Sequence, residues 1–80
     1  MNNTNLMKSW EYCIIKYRLL GLGNTQEIEQ LYLDAQELKE WNRKPLRIFL
    51  NQLGKDGWEM VGVSSNPDST WTFIYFKRPL

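Results

Sequence analysis

The segment Thr70 to Lys77, T-W-T-F-I-Y-F-K, puts large apolar side chains on both sides of an extended chain. Trp71, Phe73 and Tyr75 fall on one side, and Thr72, Ile74 and Phe76 on the other. A strand of this kind needs cover on two faces. Yet the chain offers one strong helical pattern. Pro45 opens it, because proline's fixed φ and missing N–H suit the first position of a helix. Leu46, Phe49, Leu50 and Leu53 then recur at i, i+3, i+4 and i+7, with Arg47, Asn51, Gln52 and Lys55 opposite. Gly57 suits the left-handed residue that ends a helix after about Asp56. Gly54 lies near the apolar seam, where a missing Cβ is expected to let the helix approach a sheet. One short helix covers one face of a sheet. The second face falls to the rest of the chain or to another molecule.

Two more segments read as strands. Trp10 to Leu20, W-E-Y-C-I-I-K-Y-R-L-L, is rich in aromatic and β-branched residues and is closed by Gly21 and Gly23. Trp10, Tyr12 and Ile14 point one way; Glu11, Cys13, Ile15 and Tyr17 point the other. Trp58 to Ser64 is a further strand, joined to the last one by the turn-rich S-N-P-D-S at Ser65 to Ser69. The middle segment, Asn24 to Trp41, supports two readings. As a helix, Ile28, Leu31, Tyr32, Ala35 and Leu38 make an apolar stripe, with Asn24 and Glu27 as a capping pair. As a hairpin, Ile28 to Leu33 and Glu37 to Trp41 are strands turning at Asp34-Ala35-Gln36.

Composition removes several function classes. Eighty residues make one domain, with residues 1–8 expected as a disordered tail and 9–80 as a single α+β unit. The tail has no signal-peptide pattern, and no apolar run reaches the roughly 20 residues of a membrane helix. Ten Lys and Arg against nine Asp and Glu leave a net charge of +1, without the excess of one sign that a nucleic-acid or membrane binder concentrates. With no His, Ser-His and Cys-His catalysis and His-ligated metals are absent together. The single Cys makes no internal disulfide and no zinc cluster, which fits a cytoplasmic chain. For so small a domain, burial and ordering entropy nearly cancel, and a partner subunit is a common source of the missing stability.

The run L-N-Q-L-G-K-D-G-W-E-M-V, Leu50 to Val61, resembles the L-N-x-L-G-x-x-G-W-E-h-V signature of a small bacterial family called domain of unknown function 4177. W-E-Y at Trp10 to Tyr12 and F-K-R-P at Phe76 to Pro79 fit the same family at the two ends of the ordered chain. The resemblance implies a small antiparallel sheet packed against one main helix, and it favours the hairpin for the middle segment. It implies no particular activity.

Three constellations bear on function. Trp10-Glu11 and Trp58-Glu59 each put a Trp on one face and a Glu on the other. On neighbouring strands, Glu11 and Glu59 would share a face near Lys16, Arg18, Lys77 or Arg78, either as an acid/base pair or, as surface charges usually do, as plain ion pairs. Cys13, mid-strand and without a nearby cation or helix N-terminus, reads as a small buried hydrophobe. The eleven aromatics, alternating with Lys and Arg, read as a docking surface or as a platform on which a planar ring could stack. The G-L-G at Gly21 to Gly23 lacks the pattern of a phosphate loop. Charge is also segregated, with five acids and one base over residues 26–40 and four bases and no acid over 41–55.

These readings converge on a small α+β antiparallel-sheet protein that is non-enzymatic, needs no cofactor or metal, and acts as a homo-oligomeric binding or assembly module. Its expected partner is a second copy, with another protein as a variant of the same idea; nucleic acid and membrane are not expected. The alternative is a sponge-like oligomer that sequesters a small nucleotide or metabolite. For either role the candidate binding residues are Trp10, Tyr12, Trp71, Tyr75, Lys77 and Arg78, the rings stacking and the cations holding phosphate.

Overall fold

In the computed structural model, which describes residues 8–21 and 26–80, the chain runs β1 (Trp10–Leu19), β2 (Ile28–Leu33), β3 (Gln36–Glu37), α1 (Leu46–Lys55), β4 (Glu59–Ser65) and β5 (Thr72–Pro79). The strands form one antiparallel sheet in the order β3-β2-β1-β5-β4. This is the small α+β fold that the strand and helix patterns predict. The last strand sits near the centre, paired with β1 along eight residues from Trp10 opposite Pro79 to Tyr17 opposite Thr72.

The core lies between one face of this sheet and α1. Cys13 and Ile15 of β1, Ile28 and Leu31 of β2, and Ile74 and Phe76 of β5 meet Leu46, Phe49 and Leu53 of the helix. Ile15, Ile28 and Leu31 are fully buried, each contributing about 2–3 kcal/mol through burial. Gly54 takes no part in this approach. It is exposed, and a Cβ there would meet nothing within 4 Å, because α1 presents Leu46, Phe49 and Leu53 to the sheet.

The middle segment is a hairpin, and the helical stripe read from Ile28 to Leu38 does not form. Asp34 and Ala35 make a two-residue turn with φ of 48° and 73°, the left-handed pair that matches the twist of a tight hairpin. The second strand is much shorter than Glu37 to Trp41. After Glu37 the chain leaves the sheet edge, and a 3-10 turn at Lys39–Trp41 brings the Trp41 ring edge-on to Phe49, 5.0 Å between centroids. Residues 43–46 then run beside the start of β2. Ile28 N–H donates to the Lys44 carbonyl, Arg43 N–H to that of Ile28, and Leu46 N–H to that of Gln26. Pro45 is thus the residue before the helix, and the carbonyl of Gln26, just ahead of β2, satisfies the first exposed helix N–H. Asn24 of the alternative capping pair lies outside the described residues, as do Gly23 and residues 1–7 of the expected tail.

The helix ends as its sequence predicts. Gly57 takes φ of 92°, its N–H donates to the Gly54 carbonyl, and Trp58 N–H donates to that of Leu53. These two bonds are the Schellman ending that glycine favours, and they turn the chain directly into β4.

Candidate functional site

Directly opposed residues of an antiparallel pair share a face, so the register sorts every side chain. On the face away from α1 stand Trp10, Tyr12, Ile14, Lys16 and Arg18 of β1. Tyr32 and Gln30 of β2 lie beside Lys16 and Arg18, and Phe73, Tyr75 and Lys77 of β5 lie beside Lys16, Ile14 and Tyr12. Among the described residues, no element packs over this face. The hairpin that could have covered it instead widens the sheet. Tyr12 is 64% exposed and Ile14 41%, which leaves an apolar strip along the centre of the molecule.

Both ends of the strip are closed by cations lying on rings. At one end Trp71 carries Lys16 Nζ at 4.5 Å and Arg18 Cζ at 4.8 Å from its centroid, and meets Tyr32 edge-on at 5.8 Å. At the other, Lys77 Nζ lies 4.2 Å from the Trp10 centroid. Such contacts contribute about 0.5–1 kcal/mol each where partly exposed, and they tie the two tryptophans to the ends of the strip. Arg18 Nε also sits 3.2 Å from Glu29 Oε1, near enough for an ion pair but off line for a hydrogen bond. Glu29 is the extra residue where the β1–β2 register shifts between Arg18 and Leu19.

Between the strip and the hairpin turn lies a shallow depression of about 440 Å³ lined by Ile14, Lys16, Tyr32, Asp34, Ala35 and Phe73. Asp34 anchors it: its Oδ1 accepts the Ile14 N–H at 2.9 Å, and its own N–H donates to the Ile14 carbonyl.

Of the six candidate residues, Trp10, Tyr12, Tyr75 and Lys77 share the uncovered face, with Trp71 at its end. Arg78 does not. It stands opposite Glu11 on the helix side, where its Nε donates to Glu11 Oε2 at 2.6 Å and its Nη1 to the Asp56 carbonyl at 2.8 Å. Its guanidinium also covers Trp58, 4.3 Å from the ring centroid. Strand alternation forbids Lys77 and Arg78 from serving one site. The same rule separates the two glutamates. β5 lies between β1 and β4, Glu11 faces the helix side with Arg78, and Glu59 stands opposite Lys77 on the uncovered face. No shared carboxylate pair forms. Nor does an ion pair join residues 26–40 to 41–55 among the described residues.

Tyr32 and Asp34 escaped the sequence reading because their face depends on the hairpin register, which a turn written Asp-Ala barely signals. Phe73 was readable from the alternation of the last strand. Cys13 is buried in the core, and desolvation, then the Asp34 charge, pushes its thiol up to about 11. Among the described residues no group of three or more Cys, Asp or Glu side chains could hold a metal ion, and no helix is long and apolar enough to cross a membrane. Comparisons with family models, curated proteins and solved structures found no match to this chain.

Proposed function

We propose that this chain is a small non-enzymatic assembly module, and that its uncovered sheet face is the surface on which a second copy docks. The observation that carries this reading is the strip of exposed Tyr12 and Ile14 beside half-buried Phe73 and Tyr75, closed at both ends by cation-stacked tryptophans. Aromatic centres with a polar rim are the usual anatomy of a docking surface.

Two further considerations favour a like copy over a polyanion. The face carries Lys16, Arg18 and Lys77 against Glu29, Asp34, Glu37 and Glu59, so it has no strong sign to attract phosphates. A near-neutral face with both signs is suited to meeting itself about a two-fold axis. Size agrees. Five strands at about 4.8 Å spacing and a central ladder of about 23 Å give a footprint on the order of 500 Å² per copy. Doubled across two copies, that reaches the roughly 1,000 Å² at which specific interfaces begin.

The test is the mass in solution of Tyr12→Asp and Ile14→Asp variants. Both side chains are exposed, so the fold should survive, while a carboxylate in the centre of a dry interface should abolish association. Variants that keep the wild-type mass would refute the reading.

The sequestration alternative rests on the depression beside Asp34, whose volume of about 440 Å³ suits a small planar ligand. It uses Lys16, Tyr32 and Phe73 in place of Lys77 and Arg78. Calorimetry with purine and pyrimidine nucleotides decides it: heat lost in Phe73→Ala supports it, and no heat from wild type ends it.

A further inference from the structure

The two edges of the sheet are unequal. At one side β3 is two residues long and the chain turns off it at once into the 3-10 turn. At the other, β4 runs seven residues, E-M-V-G-V-S-S, and nothing among the described residues pairs with its outer side. Natural edge strands are protected by lysine, proline, inward charges, bulges or brevity. Beyond Glu59, β4 has no charge and no proline. It exposes Met60, Val61 and Val63 at 46%, 49% and 58%, and its one irregularity is the register shift at Val61.

Val63 makes the edge more unusual. It stands opposite Ile74, on the face that α1 covers, yet it is the more exposed of the two β4 valines. The helix packs its buried residues with β1, β2 and β5 and leaves the flank of β4 bare. An apolar side chain with no cover thus sits beside a row of unpaired backbone donors and acceptors. A strand laid along β4 answers both at once.

We propose that β4 is a second self-association surface, pairing antiparallel with β4 of another copy to make a continuous ten-stranded sheet. Strand length selects this occupant. Pairing β4 with the β3 edge of a neighbour would match seven residues to two and leave most of the edge unsatisfied. Self-pairing centred at Val63 matches Val61 to Ser65 with the same five residues of the other copy and closes after two copies, because an antiparallel pair of identical strands is related by a two-fold axis normal to the sheet. Centred at Val63, the pairing places the two Val63 side chains together on the helix side. It also makes the uncovered aromatic faces of both copies continuous. The two-fold axis proposed for face-to-face docking lies parallel to the sheet, and we place it across the β4 axis at a right angle, the arrangement in which the two interfaces close on four chains.

Native mass spectrometry and light scattering at one fixed protein concentration test this, with far-UV circular dichroism to follow the fold. Wild type is expected at four chains, Val63→Lys at two, Tyr12→Asp at two, and the double variant at one. Val63→Lys at wild-type mass overturns the edge pairing and leaves the aromatic face standing; Tyr12→Asp at wild-type mass does the reverse. A single-chain wild type overturns both. Should Val63→Lys lose its fold, Val61→Lys at the register shift reads the same edge, and an unchanged mass there counts equally against the proposal.

Discussion

Arg78 is the residue whose removal tests the geometry most severely, because sequence placed it in a binding site and the structure places it in a clamp. One guanidinium joins the start of β1 through Glu11, the end of α1 through the Asp56 carbonyl, and the residue leading into β4 through the Trp58 ring. About a third of the Arg78 and Glu11 side chains stays exposed, so solvent screening holds the ion pair to about 0.5–1 kcal/mol. The cation at the helix C-terminus adds about 0.3–1 kcal/mol, and stacking on Trp58 about 0.5–1 kcal/mol. Contacts made by one group do not add fully, so Arg78→Ala should cost about 2 kcal/mol. For a domain of this size that lowers Tm by about 8–16 °C. Arg78→Lys keeps a charge near Glu11 but loses the planar fork and the stacking, and should recover about half. Urea and thermal unfolding followed by far-UV circular dichroism, at one protein concentration since association stabilises by mass action, would measure both. A loss below about 0.5 kcal/mol, within the range of an ordinary surface change, or a lysine variant as stable as wild type, would refute the clamp.

Three other outcomes follow from backbone and burial. Gly54→Ala should stabilise by about 0.5–1 kcal/mol, since alanine is the better helix former and the site has room for a Cβ; unchanged or lower stability in urea melts would contradict the open site. Ala35→Gly should also stabilise, by about 0.5–1 kcal/mol in the same melts, because Ala35 pays the left-handed penalty at φ of 73°; a destabilised variant would argue against that turn. Cys13 should resist thiol reagents in the folded protein at pH 8 and react on unfolding; fast modification of the native chain would sink its placement. Its thiol is neutral up to about 11 when folded against an ordinary 9.0, so the unfolded chain holds fewer protons between those values. Stability therefore falls as pH rises from 9 to 11, by at most about 3 kcal/mol at 1.36 kcal/mol per unit. Tyr17, raised by burial and partly offset by its bond to Thr72, pushes the same way.

What could be read from sequence was whatever had a local cause. Pro45, the seam of Leu46, Phe49 and Leu53, and Gly57 specify a helix and its ending without reference to the rest of the molecule. Alternation in the first and last strands divided their side chains correctly between two faces, including the separation of Trp71, Phe73 and Tyr75 from Ile74 and Phe76. What escaped depended on pairing between distant segments. The match of Trp10 with Pro79 and Glu11 with Arg78 put Lys77 and Arg78 to opposite uses. The insertion of β5 between β1 and β4 separated Glu11 from Glu59. The stripe at Ile28, Leu31 and Tyr32 fitted a helix as well as it fitted a strand with an extra residue at Glu29, because that bulge disturbs the two-residue period. A place next to the seam fixes neither the exposure of Gly54 nor its distance from the sheet.

The position of β5 also governs when this protein can fold. The central ladder joins Trp10 to Pro79, and Leu80 N–H donates to the Ser9 carbonyl, so its contacts span nearly the entire described chain. Closing so large a loop costs entropy before any pair repays it, and topologies of high contact order fold slowly. On the ribosome, β1, the hairpin and α1 would emerge with their core incomplete, since Ile74 and Phe76 follow the other seven buried residues. The edge of β1 that later receives β5 stays open throughout that interval. A nascent chain of this kind has reason to meet a chaperone, and its assembly into larger units must wait for its final strand.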